Sequence, residues 1–259
     1  MAHIKEKILE SNIQEHMKEA KYYDRIHTEL YNKYEQERIK SSLYKVLMNF
    51  NNNATILEIG PGTGNLTIKL LQKGYKKITC VDISKEMMEE LKKKVRDIDH
   101  NIEFIVSDID SFLENNTSKF DIVLLSSVLH HFPDYASTLK NIEKILNNTG
   151  CIYITHEPLK PSKNSILVKI LLKIDFFAYT ARYIFLISIG RLKYLGRNCE
   201  YSDYHTGERA IDATQLEAIF GDNYVINMNK YSVAKFGITA FLLEKINYAN
   251  SFEFLAVKK

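Results

Sequence analysis

Hydrophobic and polar positions follow two different rhythms along the chain. Up to about residue 50, apolar and aromatic residues recur at helical spacing, as at Tyr23, Ile26, Leu30 and Tyr34. This spacing predicts an N-terminal helical extension. From residue 55 onward, short apolar runs alternate with amphipathic stretches. Such alternation predicts strands that are each followed by a helix, as in a doubly wound parallel sheet.

Seven apolar runs are predicted to be strands, and they cover Ile56–Ile59, Lys77–Val81, Ile102–Val106, Phe120–Leu125, Cys151–Thr155, Tyr224–Met228 and Phe252–Val257. Helices are predicted at Leu66–Lys73, Lys85–Val95, Tyr135–Leu146 and Asp212–Phe220, with a turn at Asn148–Gly150 and a helix or irregular segment over residues 238–246. The predicted fold class is therefore α/β, a mostly parallel, Rossmann-like sheet of seven strands with N-terminal helices and a helical lid insertion.

Residues 158–205 interrupt this alternation, since they are apolar, aromatic and basic together. We interpret them either as lid helices over an acceptor pocket or, at 165–197, as a surface for peripheral contact with a membrane or lipid-like substrate. A membrane-spanning helix needs about 20 apolar residues, and Asp175 and Arg182 interrupt the run. The predicted division is a helical extension at 1–50, a core at 51–157 and 206–259, and an insertion at 158–205.

Composition narrows the class of protein only moderately. The 259 residues are 45% hydrophobic and 26% charged, as is usual for a globular domain, and the net charge of +3 is too small to favour nucleic acid. The three cysteines are odd in number and form no CxxC pair, so the sequence indicates neither a disulfide framework nor a zinc knuckle. The N-terminus lacks the apolar run of a signal peptide, and we expect a cytoplasmic protein.

The loop after the first predicted strand carries the most informative motif. It reads E-x-G-x-G-x-G, with glycines at Gly60, Gly62 and Gly64. Glycines permit a tight turn and a close backbone approach to a ligand, and the following helix presents free N–H groups. A dinucleotide fingerprint would need a third glycine where Asn65 or Thr67 stands. A nicotinamide-dependent dehydrogenase is therefore a weak alternative.

Two carboxylates follow the next two predicted strands. Asp82 lies about 20 residues after the glycine loop, where a carboxylate can accept hydrogen bonds from both hydroxyls of a ribose. The alternative is that Asp82 caps the helix that begins near Ser84. Asp108 follows the third strand, and it has the same alternative role as a cap or turn residue.

These motifs, together with the segment FDIVLLSSVLHHFPD at 120–134, resemble class I S-adenosylmethionine-dependent methyltransferases, in particular the ubiquinone/menaquinone-type and small-molecule branch. The resemblance covers roughly residues 55–155 and implies S-adenosyl-L-methionine as the cofactor. It implies that Glu58 supports the loop and the cofactor's ammonium group, that Asp82 binds the ribose, and that Asp108 binds the adenine amino group. The cofactor contacts that it implies are Tyr23, Glu58, Gly60, Gly62, Gly64, Asp82, Ile83, Met87, Asp108, Ile109 and Ser126. Tyr23 has an alternative role in packing a helix onto the sheet.

The residues that face the acceptor are less well marked. A general base is needed only if the acceptor arrives protonated, and histidine is the natural base near neutral pH. We predict His156, Glu157 and His205 as catalytic candidates, ahead of His130 and His131, which follow strand four. A purely structural role is the alternative for these histidines. No metal-ligand spacing occurs, so no metal is expected.

The apolar insertion favours a small hydrophobic or aromatic acceptor. A membrane-associated lipid or quinone methyltransferase and a non-catalytic S-adenosylmethionine-binding module are the alternatives. Methylation of a nucleic-acid base is not favoured, because the segment after strand four lacks an Asn or Asp followed by paired prolines. The acceptor atom and the oligomeric state stay open.

Overall fold

A seven-stranded sheet organises the chain, and the computed structural model describes it through residues 2–159, 165–194 and 210–259. The strands are β1 (Ile56–Ile59), β2 (Lys77–Asp82), β3 (Asn101–Val106), β4 (Phe120–Ser126), β5 (Leu146–Pro158), β6 (Tyr224–Tyr231) and β7 (Ser251–Lys258). Their order is β3-β2-β1-β4-β5-β7-β6. Strand β7 runs in the opposite direction to the other six strands. The predicted fold class is confirmed.

Helices flank the sheet and cover its carboxyl edge. They are α1 (Ala2–Glu19), α2 (Tyr23–Ile26), α3 (Thr28–Tyr31), α4 (Lys33–Leu47), α5 (Asn65–Gln72), α6 (Lys85–Val95), α7 (Ile109–Asn115), α8 (Tyr135–Lys144), α9 (Ile166–Ser188), α10 (Ala213–Phe220) and α11 (Gly237–Lys245). The predicted N-terminal helices are therefore four separate helices. Residues 238–246, which the sequence left open, are almost entirely helical.

The predicted turn at Asn148–Gly150 is wrong, because these residues belong to the first part of β5. The pairing of β4 with β5 shifts here, from Phe120 opposite Leu146 to Ile122 opposite Cys151. Residues that are typical of turns thus form an irregularity within a strand, between two stretches that pair with β4.

Alternation along β4 divides the core between the two faces of the sheet. Ile122 and Leu124 pack into the cluster that contains α4, α5 and α6. Val123 and Leu125 pack into the opposite cluster with α8 and α10. Because successive side chains of a strand point to opposite faces, a run that is buried throughout indicates cover on both sides.

The first helices lie over the carboxyl edge of the sheet, where ligands bind in this fold. Asn12 of α1 donates a hydrogen bond to the carbonyl of His131, in the loop after β4. Asp24 of α2 forms an ion pair of 2.5 Å with Lys94 of α6. The N-terminal extension therefore lies over the loop that follows β4 and is held to the last turn of α6.

Helix α9 packs on the body along one narrow line, and only Val168, Asp175 and Tyr179 are buried. The Asp175 carboxylate accepts backbone N–H bonds from Lys235 and Phe236 at 2.8 and 3.1 Å. Within the described ranges, no helix combines the length and the apolar character that crossing a bilayer requires.

Candidate functional site

A cavity lies outside the carboxyl ends of β1 to β4, and we call it the cofactor cavity. The predicted cofactor contacts that line it are Tyr23, Glu58, Gly60, Gly62, Asp82, Ile83, Met87, Asp108, Ile109 and Ser126. Gly64 is not part of its lining. Gly64 instead caps α5 at φ 96°, and a Cβ there would lie 2.4 Å from Leu91.

The glycine loop needs backbone conformations and space that other residues lack. Gly60 has φ 63°, and a Cβ there would lie 2.4 Å from a methyl carbon of Val128. Gly62 has φ 55° but open space around it, and its N–H donates to Oδ2 of Asp82 at 3.0 Å. The carboxylate of the second strand therefore holds the loop of the first strand in place.

Asp82 is nearly buried and accepts a second backbone hydrogen bond, from Ser84 to Oδ1 at 2.8 Å. Burial raises the pKa of Asp82 to about 6, although the hydrogen bonds from the two N–H groups oppose this shift. A carboxylate has about four acceptor positions, so this one retains capacity for ligand hydroxyls. Its side chain therefore combines a structural role in the loop with the geometry of a ribose acceptor.

Glu58 lies at the floor of the cavity and is 2% exposed. Its Oε2 accepts a hydrogen bond of 2.6 Å from the hydroxyl of Thr67. Burial raises the pKa of Glu58 to about 7, although Thr67 and the charge of Lys69 oppose the shift. A cation that enters this cavity would restore the charged form of Glu58, because an opposite charge favours ionisation.

Buried polar atoms without a hydrogen-bond partner within the described residues occur in the cavity lining. Among them are Oδ1 of Asn12, Nδ2 of Asn65 and Oγ of Ser126. Buried polar groups normally find partners, so these atoms fit a polar ligand with both donors and acceptors. Sequence reasoning missed Asn12 and Asn65, although Asn65 immediately follows the glycine motif.

Asp108 lines the cavity and also caps α7, since its Oδ1 accepts from the N–H of Ser111 at 3.0 Å. The cap occupies one oxygen, so the two predicted roles are compatible. Tyr23 stacks on His27 with ring centroids 4.1 Å apart. Tyr23 lines the cofactor cavity as well, so the packing role does not exclude the predicted ligand contact.

A second cavity adjoins the first, and we call it the histidine chamber. The two cavities share His16, Tyr23, Ser127 and His131 in their linings. The chamber's remaining charged or ionisable lining residues are Glu15, Glu19, His27, Glu29, His130, His156, Glu157 and Lys235. No residue of α9 belongs to this lining. Among the described residues of the predicted insertion, Pro158 at its start lines the chamber, whereas α9 lies outside it.

One histidine of the chamber is held as a cation. Nε2 of His27 lies 2.8 Å from Glu19, and Nδ1 lies 3.1 Å from Glu29. Burial opposes the charge, but these carboxylates raise the pKa of His27 to about 9. Glu29 also pairs with Lys235 at 2.5 Å.

Glu157 is fully buried and holds the loop after β4. Its carboxylate accepts N–H bonds from Val128, Leu129 and His130 at 2.7, 2.8 and 3.2 Å. It also lies 2.7 Å from Nδ1 of His130. Four donors therefore engage the residue that the sequence predicts as catalytic.

His156 sits at the chamber wall in the left-handed backbone region, with φ 58°. Its backbone N–H donates to the hydroxyl of Tyr231 at 2.9 Å, and its Nδ1 lies 2.6 Å from Oε1 of Glu35. Burial would raise the pKa of Glu35, but His156 and Arg38 lower it to about 2. Glu35 is an ionised partner that sequence analysis did not foresee.

The third catalytic candidate, His205, lies outside the described residues. Among the residues that are described, no group of three or more His, Cys, Asp or Glu side chains is arranged to hold a metal ion.

Sequence comparison places a known domain on the segment from β1 to the start of β5. Residues 56–150 match the family model described as "Methyltransferase domain". A demethylmenaquinone methyltransferase from Staphylococcus saprophyticus is 30% identical over 143 residues, which are 54% of this chain and 60% of that protein. The highly reducing polyketide synthase GPY1 from Gibberella fujikuroi is 33% identical over 123 residues, which are 44% of this chain but 5% of that protein. The chain thus spans less than two thirds of the length of these relatives.

Solved structures share the whole architecture. The N-methyltransferase NodS from Bradyrhizobium japonicum, in complex with S-adenosyl-L-homocysteine, aligns with a TM-score of 0.60 at 15% identity, over 96% of this chain and 98% of that one. The magnesium protoporphyrin IX methyltransferase ChlM from Synechocystis, with bound SAH, aligns with a TM-score of 0.54 at 18% identity, over 87% and 84%. Residues 56–150 thus match a methyltransferase domain, and the chain shares the fold of these solved methyltransferases.

Proposed function

We propose that the protein transfers a methyl group from S-adenosyl-L-methionine to a small-molecule acceptor bound in the histidine chamber. The observation that carries this proposal is the adjacency of two cavities. One presents the loop, carboxylates and unpaired polar atoms that suit the cofactor, and the other holds proton-transfer groups. Ser127 and His131, in the loop after β4, line both. An acceptor in the chamber would therefore lie beside the methyl donor.

In this proposal, each group of the cofactor has a partner in the cofactor cavity. Asp82 would bind the ribose and Asp108 the adenine, as the family resemblance implies. Glu58 would face the ammonium group, and the unpaired amide N–H of Asn65 would donate to the carboxylate. The sulfonium makes the methyl group electrophilic by itself, so the protein mainly aligns the acceptor and excludes water.

His156 is our candidate for the general base. The Glu35 carboxylate engages Nδ1, which leaves Nε2 as the ring nitrogen for a substrate proton. Bound S-adenosyl-L-methionine would supply the methyl group, whose carbon–sulfur bond would break with its electron pair left on sulfur as the acceptor atom bonds to the methyl carbon. Nε2 of His156 would take the proton of the acceptor. Glu35 is then a positioning residue, and we assign the same kind of role to Glu157, which holds residues 128–130.

The chamber favours an acceptor that carries hydrogen-bonding groups near its reacting atom. Four carboxylates line the chamber, against two cations, the His27 imidazolium and Lys235. Removing water from these charged side chains to place them against an apolar acceptor costs free energy. The hydrophobic or aromatic acceptor that the sequence suggested would need its polar end in this chamber.

Transfer of labelled methyl from S-adenosyl-L-methionine to a metabolite extract tests the proposal. We expect His156→Gln to lower label transfer by about 10²–10⁴-fold, with unchanged affinity for S-adenosyl-L-homocysteine. Glu35→Gln should shift the pH profile of transfer. His100→Gln is the matched control, because His100 lies in neither cavity lining.

Three outcomes would contradict the proposal. Binding of the cofactor without transfer to any extract would favour a non-catalytic binding module. Binding of a nicotinamide cofactor in its place would favour a dehydrogenase. Full activity of His156→Gln would remove the assigned base.

A membrane-associated lipid or quinone methyltransferase is the second candidate function. The exposed apolar surface of α9 favours it, because that surface lies outside the chamber and suits contact with lipid. Label transfer that needs a lipid extract, and fails with water-soluble metabolites, would support this candidate over the first.

A further inference from the structure

The outer face of α9 is an apolar ridge formed by Ile166, Ile170, Ile174, Phe177 and Ile184. Their exposed fractions are 77%, 49%, 60%, 70% and 61%. A surface side chain of this kind is ordinary when it occurs singly, but a contiguous set marks a contact surface. The ridge is therefore a feature that the fold by itself does not explain.

Helical geometry places the ridge opposite the anchored line of the helix. Exposed Phe177 lies nine positions after buried Val168, which is about two and a half helical turns. The ridge residues follow each other at spacings of three, four and seven, so they share one face. From Ile166 to Ile184 the ridge extends about 27 Å at a rise of about 1.5 Å per residue.

Neighbouring side chains widen the apolar surface. Leu167, Phe176 and Phe185 of the same helix are 51%, 62% and 60% exposed. The result is a broad apolar surface on a helix that the body holds firmly through Asp175 and Tyr179.

Charge decides which partner fits this surface. The exposed basic residues of α9 and of the segment that follows it are Lys169, Lys173, Arg191 and Lys193. The single acidic residue in residues 165–194, Asp175, is buried and bonded to backbone N–H groups. The exposed charge of residues 165–194 is therefore entirely positive.

We propose that the apolar ridge and its lysines dock the protein onto the surface of an anionic lipid membrane. Apolar side chains beside lysine and arginine are the composition of helices that lie in a membrane interface. Anionic headgroups attract each basic residue near the surface. A second copy of the chain would present the same cations and no exposed acid from this segment, so the charges favour lipid over self-association.

Docking is independent of methyl transfer, because it is measured by binding alone. Full-length protein is mixed with vesicles of phosphatidylcholine, or of phosphatidylcholine and phosphatidylglycerol in equal parts, and floated on a density gradient. We expect flotation with the anionic vesicles and a loss of binding as salt rises.

Two variants separate the apolar contribution to membrane binding from the electrostatic one. Phe177→Glu should lower the partition coefficient at least about tenfold. The change removes an aromatic group that would be buried in the bilayer, and it adds a negative charge that the anionic headgroups repel. Lys169→Glu combined with Lys173→Glu should abolish the preference for anionic vesicles. Met48→Glu is the matched control, because Met48 is an apolar residue, 84% exposed, at the end of α4. Retained binding of S-adenosyl-L-homocysteine shows that each variant is folded.

The proposal is overturned if wild-type protein fails to float with anionic vesicles, or if Phe177→Glu floats as well as Met48→Glu. It is also overturned if light scattering shows a dimer that Phe177→Glu converts to a monomer, since the ridge would then be an interface between copies.

Discussion

Removal of the Asp82 carboxylate is the sharpest test of the cofactor assignment. In the structure, this side chain is 7% exposed and accepts N–H bonds from Gly62 and Ser84 at 3.0 and 2.8 Å. Asp82→Ala therefore removes the acceptor for ribose hydroxyls and the support of the glycine loop together. Both effects weaken cofactor binding.

The magnitude follows from the number of hydrogen bonds lost. A hydrogen bond to a charged group contributes about 1.5–3 kcal/mol, and about 1.4 kcal/mol changes affinity tenfold. Loss of one ribose bond thus lowers affinity at least about tenfold, and loss of both lowers it by roughly 10²–10⁴-fold. Asp82→Asn retains one oxygen acceptor, so we expect an intermediate loss.

Isothermal titration with S-adenosyl-L-homocysteine, which carries no transferable methyl group, measures this affinity. Asp134→Ala is the control, because Asp134 caps α8 through the N–H of Ser137 but does not line the cavity. A dissociation constant for Asp82→Ala within twofold of wild type, in a protein with native thermal stability, would refute the assignment.

Three further measurements test the electrostatics and the loop. The pKa of Glu58 is raised to about 7, and a cofactor ammonium favours its ionised form. Cofactor affinity, measured by titration from pH 5.5 to 8.5, should therefore fall up to about tenfold per pH unit below 7, and Glu58→Gln should flatten this slope. The folded-state pKa of His27 is about 9, above the ordinary value of 6.5, so its stabilisation is complete below pH 6.5 and is lost as pH rises through 9. Thermal melts of wild type should show this loss, whereas melts of His27→Gln should not. Gly60→Ala should lower the melting temperature more than Gly62→Ala, because both positions have positive φ but only Gly60 would place a Cβ 2.4 Å from Val128. Equal melting temperatures for these two variants would contradict the steric argument.

The sequence predicted the sheet well because its signals are local. The fully buried runs of β1 and β4 and the motif of Gly60 and Gly62 can each be recognised within a few residues. Helix α7 has only seven residues and begins at the Asp108 cap, so it offers too little periodicity to be predicted. The turn error in β5 arose because the residues on both sides of Asn148–Gly150 pair with β4, which is distant in sequence, so that the strand begins before this segment.

The chamber could not be predicted in the same way, because its partners are distant in sequence. His156 and Glu35 are 121 residues apart, and Lys235 and Glu29 are 206 apart. No local spacing signals such pairs. The sequence could nominate His156 as a candidate, but only the fold reveals that an ionised carboxylate orients it.

The shared wall between the two cavities has a thermodynamic consequence. His16, Tyr23, Ser127 and His131 each contribute to both linings, so any displacement of these side chains on one side also reshapes the other. We expect the two ligands to bind with a mutual coupling free energy. That coupling is reciprocal, so the factor by which the donor changes the affinity for the acceptor equals the factor by which the acceptor changes the affinity for the donor.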